Sequence, residues 1–139
     1  MQKNSIFFNQ KGATIVEFAI VLFLLLTLIF GITEFGLAIF NRHVITNAAR
    51  EGARYGIVAR PVRLTDNEIK AEVLDYAEEH LVTFGDDVLT ADDIVIPARC
   101  LTFQCDLEVQ VDYEYKFLFL SNLGIGPIDL RATSVMKME

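Results

Sequence analysis

The sequence predicts an α+β chain: a long N-terminal helix, a second helix and a small three-stranded antiparallel sheet. Three patterns carry that reading. Residues 13–40 form an apolar run whose only ionisable members are Glu17 and Glu34. A stretch with apolar residues at three-to-four spacing follows, opened by a capping signal. Strict alternation of period two then takes over near the C-terminus. A chain of 139 residues has room for one modest domain and an appendage.

The first helix is expected over about residues 13–58. From Phe18 to Thr33 no residue is charged, which as helix covers about 24 Å at about 1.5 Å per residue. Extended to Phe40 the run reaches about 42 Å, more than the roughly 30 Å of bilayer hydrocarbon. Glu17 and Glu34 would then stand about 25 Å apart along the axis, near opposite faces of a membrane. A cleavable secretory signal has a shorter apolar core and a small-residue cleavage site after it, so this segment is expected to stay in the mature protein. Beyond Phe40 the pattern turns amphipathic: Val44, Ile45, Ala48, Ala49 and Gly52 are interleaved with Arg42, Asn47, Arg50, Glu51 and Arg54. No proline interrupts before Pro61. Within that stretch Arg50, Glu51 and Arg54 are spaced for pairs along a solvated helix face, or for docking the acidic domain or a partner, and His43 is expected at the surface.

The second helix is expected over about residues 65–83. Thr65 followed by Glu68 is a capping box, Ile69, Val73, Ala77, Leu81 and Phe84 mark the buried stripe, and Gly85 stops it. Leu107, Val109, Val111, Tyr113 and Tyr115 then alternate with Asp106, Glu108, Gln110, Asp112 and Glu114, the pattern of a half-buried strand. Residues 94–103 are the expected hairpin partner, with Pro97 marking an edge or bulge. A last strand is expected over residues 128–138. Between the last two strands lies an apolar segment, residues 117–127, where a polar loop was due. It either covers the sheet or touches lipid or another subunit.

Composition narrows the function. The chain is 53% hydrophobic with a net charge of −7 and a mean hydropathy of +0.37, which excludes a disordered chain. The C-terminal part is acidic and the arginines of residues 42–63 make no phosphate-binding footprint, so no nucleic acid is expected. Cys100 and Cys105 are spaced for a disulfide closing a small loop in an oxidising compartment, with two free thiols as the alternative in a reducing one. No serine sits in a nucleophile elbow, no glycine-rich phosphate loop is present, and neither His43 nor His80 has a partner at metal-ligand spacing. Asp86, Asp87, Asp92 and Asp93 lack the order of a calcium loop. No cofactor and no metal are expected, and the enzyme reading is the weakest.

The chemistry concentrates at the start of the run. A short leader with Lys3 and Lys11 ends at Gly12, an apolar helix begins at once, and Glu17 is the fifth residue after the glycine. A carboxylate there is costly unless it is paired or interfacial. If the bond between Gly12 and Ala13 is cut, the new α-amine of Ala13 is a cation that a neighbouring subunit's Glu17 can neutralise. Glutamate 34 is expected either to reach water at the interface or to pack within such an assembly.

These residues resemble the maturation signal of type IV pilin-like proteins. The runs G-A-T-I-V-E-F-A-I-V-L from Gly12, G-I-T-E-F-G at residues 31–36 and A-A-R-E-G-A-R-Y-G at residues 48–56 are similar to those of the TadE-like family, the minor pilins or pseudopilins of tight-adherence (Tad/Flp) pili. The resemblance implies a type IV pilin-like fold and a single-pass protein with three parts: a cytoplasmic leader (1–12), a helix (13–60) spanning the membrane to about residue 40, and a periplasmic domain (61–139). It also implies cutting by a prepilin peptidase between Gly12 and Ala13, with Glu17 and Phe18 at the subunit-assembly position. Implied partners are other pilins or pseudopilins and the inner-membrane platform of the Tad machinery. Phe23 stands where many relatives carry proline. Charge alone does not orient the span, because Arg42, Arg50 and Arg54 follow it as Lys3 and Lys11 precede it; the orientation rests on the resemblance and on the cysteine pair. Two other readings stay open: an uncleaved membrane-anchored binding or sensing domain, and a pseudopilin of a type II secretion machine.

Overall fold

The structure, a computed structural model, describes residues 10–83, 88–97 and 104–138, with side chains from Gly12 onward. Helix α1 (Gln10–Ile57) and helix α2 (Asp66–His80) are followed by β1 (Ile94–Val95), β2 (Asp106–Tyr115) and β3 (Ile128–Lys137). Two single 3₁₀ turns, Ala91–Asp93 and Leu120–Leu123, lie before β1 and between β2 and β3. The strands form an antiparallel sheet in the order β1-β2-β3. The expected α+β architecture is therefore the one the chain adopts.

Helix α1 is 48 residues long, about 72 Å at about 1.5 Å per residue. The described helix already includes Gln10–Gly12, ahead of the expected Ala13, and Gly12 does not break it, since a single glycine costs a helix only about 1 kcal/mol. It runs unbroken through Phe23. Its first half is bare: Ile15, Phe18, Leu24, Leu28 and their neighbours are exposed on every side, and none of its most apolar window is buried by the rest of the chain. Among the described residues α1 is the one helix long and apolar enough to cross a membrane.

The second half of α1 is the spine of the globular part. Ala38, Val44, Ile45, Ala48, Ala49 and Ala53 are buried, and α1 packs against α2, β2 and β3. Helix α2 begins as its sequence requires. The Thr65 hydroxyl accepts from the Glu68 backbone N–H at 3.3 Å, and the Glu68 carboxylate accepts from the Thr65 backbone N–H at 2.7 Å. Its buried stripe is Ile69, Val73 and Ala77. The helix stops at His80, short of the expected residue 83, with the Leu81 N–H closing the last turn on Ala77 at 2.8 Å. The expected stop at Gly85 lies outside the described residues.

Strand β2 buries Leu107, Val109, Val111, Tyr113 and Tyr115 on one face. Strand β3 presents Leu130, Ala132 and Ser134 inward, with Asp112 opposite Arg131 and Val109 opposite Ser134 in the register. Of the expected strand 94–103, the described residues form β1 over Ile94–Val95. It pairs only Ile94 with Val111 and Val95 with Gln110, and Pro97, which has no N–H to donate, follows two residues later. Residues 98–103 lie outside the described residues.

Candidate functional site

Two regions of α1 hold the residues that sequence reasoning singled out. Gly12, Ala13, Glu17 and Phe18 all lie on the bare first half, exposed. Phe18 is 64% exposed. Among the described residues no hydrogen bond or ion pair engages the Glu17 carboxylate. Ala13 and Glu17 are four positions apart in a continuous helix, which puts them on one face about 6 Å apart along the axis. The region offers a helix face with an unmet acid on it and no folded-domain contact.

Glu34 is buried, with 5% of its surface accessible, and its carboxylate meets this chain's own β2–β3 loop. One carboxylate oxygen accepts from the Leu120 backbone N–H at 2.9 Å and the other from the Phe119 N–H. The acid thus satisfies two donors at the start of the Leu120–Leu123 turn, where a 3₁₀ or α-helical end leaves N–H groups without internal partners. Aromatic contacts flank the latch: Phe119 stacks on Phe30 at 4.8 Å between centroids, and Phe117 packs against Phe35 at 5.5 Å and edge-on to Tyr115 at 5.4 Å. Burial, with the Glu34 charge second, pushes the Tyr115 phenol above its ordinary value, and among the described residues its hydroxyl has no hydrogen-bond partner. Of the two roles expected for residues 117–127, covering is met in part: Phe117 and Leu120 are buried in the core.

A second polar tie was not foreseen. Asn41, fully buried, donates from its side-chain amide to the Val82 carbonyl at 2.7 Å and accepts from the Val82 N–H at 3.1 Å. One side chain so replaces a strand neighbour for a residue just past α2. Further along, Gly52 and Gly56 let α2 and β2 approach. A Cβ on Gly56 would stand 2.5 Å from Leu107 Cδ2 and 2.7 Å from Ile69 Cδ1, and one on Gly52 would overlap Val73 Cγ2. With Ala48, Ala49 and Ala53 these glycines make a stripe of small residues on one face of α1. The expected charge pairing on the opposite side exists between Glu51 and Arg54, with Nε donating to the carboxylate at 3.0 Å. That bond holds Glu51 below the usual carboxylate range.

The runs of residues that decide kinship are now placed: the bare apolar face after Gly12, the latch acid, and the small-residue stripe. Residues 12–54 match the family model described as TadE-like protein. The chain carries a TadE-like segment. No curated protein and no solved structure is significantly similar to the chain. The TadE-like match thus covers two things at once, a helix half that the fold leaves uncovered and most of the seat that α2, β2 and β3 occupy.

The remaining sequence expectations fall as follows. Cys105 is disulfide-bonded, while Cys100 lies outside the described residues. Asp86 and Asp87 also lie outside them. His43 is exposed. A depression of about 300 Å³ beside α2 is lined by Leu74, Glu78, Leu81, Thr83, Val88 and Leu89.

Proposed function

We propose that the chain is a minor pilin or pseudopilin that works in assembly of a tight-adherence (Flp-type) pilus used for surface attachment. A prepilin peptidase cuts between Gly12 and Ala13, and the protein acts without catalysis of its own and without a cofactor. Its partners are other pilins or pseudopilins, the inner-membrane assembly platform of the Tad machinery, and the membrane itself. The leader is cytoplasmic and the globular part, residues 61–139 with the second half of α1, is periplasmic. The bonded state of Cys105 supports an oxidising compartment for that part.

The observation that carries the proposal is the bare half of α1 with Glu17 near its start, in a segment that matches the TadE-like family. An exposed apolar rod is unstable in water and must be covered by lipid or by other rods. An unmet carboxylate near its start is costly in either setting until a cation reaches it. Cutting after Gly12 creates that cation: hydrolysis of the peptide bond leaves a carboxylate on Gly12 and a protonated amine on Ala13. In a bundle of parallel, staggered rods the amine of one subunit lies beside Glu17 of the next. Such a pair is selective for register, because a subunit one step out of phase leaves two charges unpaired in a medium of low polarity.

Intact-mass measurement and N-terminal sequencing of the protein from its native membrane test the proposal. A mature chain that begins at Ala13 is expected. A chain that still begins at Met1 overturns the cleavage and favours an uncleaved tethered domain.

A further inference from the structure

The loop between β2 and β3 reaches a level of the molecule where lipid is the natural neighbour. Residues 117–127 contain no ionisable side chain, yet the loop has a defined shape. Besides the Glu34 latch, Ile125 N–H donates to Leu120 C=O and Gly124 N–H to Ser121 C=O, both at 3.1 Å. Gly124 adopts φ +87°, a left-handed conformation that suits glycine. Phe117 and Leu120 turn into the core, but Leu118 is 61% exposed, Leu123 47% and Ile125 42%. Three large apolar groups are thus held out from a built turn.

The position of that turn decides what covers them. Its Phe119 stacks on Phe30, which belongs to the charge-free run of α1. Counted from Ala13, about 30 Å of helix ends near Thr33, so Phe30 lies about 5 Å inside the far edge of the hydrocarbon. The loop is therefore continuous with the lipid-facing stretch of α1, at the depth where monotopic elements lie.

We propose that residues 118–125 are a second membrane contact, a foot whose Leu118, Leu123 and Ile125 enter the outer boundary of the leaflet from which α1 emerges. This rests on the reading of α1 as a membrane span. The latch to Glu34 sets the depth of the foot relative to the helix, so the globular part stands on the bilayer at two points.

The chain contains no tryptophan, so single substitutions give single reporters. Full-length Leu118→Trp, Leu123→Trp and Ile125→Trp are reconstituted at low protein density in phosphatidylcholine–phosphatidylglycerol vesicles containing lipids brominated at known depths. Leu24→Trp, in mid-span, and Val62→Trp, in the turn after α1 and 80% exposed, bracket the range. The expected result is blue-shifted emission from the loop reporters, quenched most by bromines about 5–10 Å below the headgroups, with Leu24→Trp quenched by deeper bromines and Val62→Trp unquenched. Loop reporters that match Val62→Trp while Leu24→Trp is quenched overturn the foot and leave the span standing. Blue-shifted loop emission that bromines do not quench means protein covers the loop, which also overturns it. An unquenched Leu24→Trp removes the span, and the foot with it.

Discussion

A carboxylate buried at the edge of an apolar rod is the residue on which the attachment of the globular part turns. Glu34 supplies acceptors to two backbone donors, one buried and one part-buried, that have no partner in the helical turn they open. Glu34→Ala is expected to lower stability by about 1–3 kcal/mol, the cost of leaving such groups unmet. Glu34→Gln, which retains one acceptor, should recover part of it. Denaturant unfolding of the full chain in detergent measures both, and faster proteolysis within residues 117–127 should accompany the larger loss. Asn41→Ala should cost a similar amount, since it strands both polar groups of Val82. Neither role could be read from the sequence. The acid was visible as an anomaly in an apolar run, but its donors are backbone groups far along the chain, and residue spacing says nothing about which loop returns to which turn. Asn41 offered no signal beyond being a polar residue on an otherwise buried face.

Elements were far more legible than contacts. The capping box at Thr65 and the alternation through β2 each depend on residues close in sequence, so local pattern and final structure agree. In its described part, β1 ends before Pro97, which has no N–H to give to a ladder. The small-residue stripe of α1 was legible as a period but not as a seat, since what it receives comes from elsewhere in the chain. That seat makes a contrast that can be measured. Gly56→Ala should destabilise by about 1–3 kcal/mol through overpacking against Leu107 and Ile69. Gly36→Ala, whose Cβ meets nothing, should be neutral or stabilising by up to about 1 kcal/mol through helix propensity. Thermal unfolding of the two variants side by side decides between a packing role and a general need for glycine. Thr65→Ala should remove about 1 kcal/mol from the start of α2.

At the scale of the whole molecule the ion pairs are peripheral and the ties of Glu34 and Asn41 to backbone are internal. Asp112 is held below the ordinary carboxylate range by the Arg131 guanidinium across the sheet, with the Gln110 amide assisting. Glu51 is held low in the same direction by Arg54. A carboxylate with a depressed folded-state value contributes stability above its unfolded value, near 4, and loses it as pH falls through the folded one. Stability should therefore be flat with respect to these groups from neutral pH down to about 5 and decline below about 4. Both pairs are largely exposed, so each should contribute little and fade with added salt. Unfolding midpoints measured across acidic pH at low and high salt check the sign and the size together.

Helix α1 passes from its bare half into the packed half with no break, so head and shaft share one axis and there is no swivel between them. The direction in which the head points is thereby geared to the phase of the shaft. One alanine inserted after Leu25 would leave every contact of the head untouched, yet turn it by about 100° and lift it about 1.5 Å relative to Glu17. Seven inserted residues would bring the azimuth back to within about 20° while lengthening the shaft by about 10 Å. On the proposed role in pilus assembly, piliation lost with both insertions means that both height and heading are read, and piliation kept with seven but not with one means that heading alone is read.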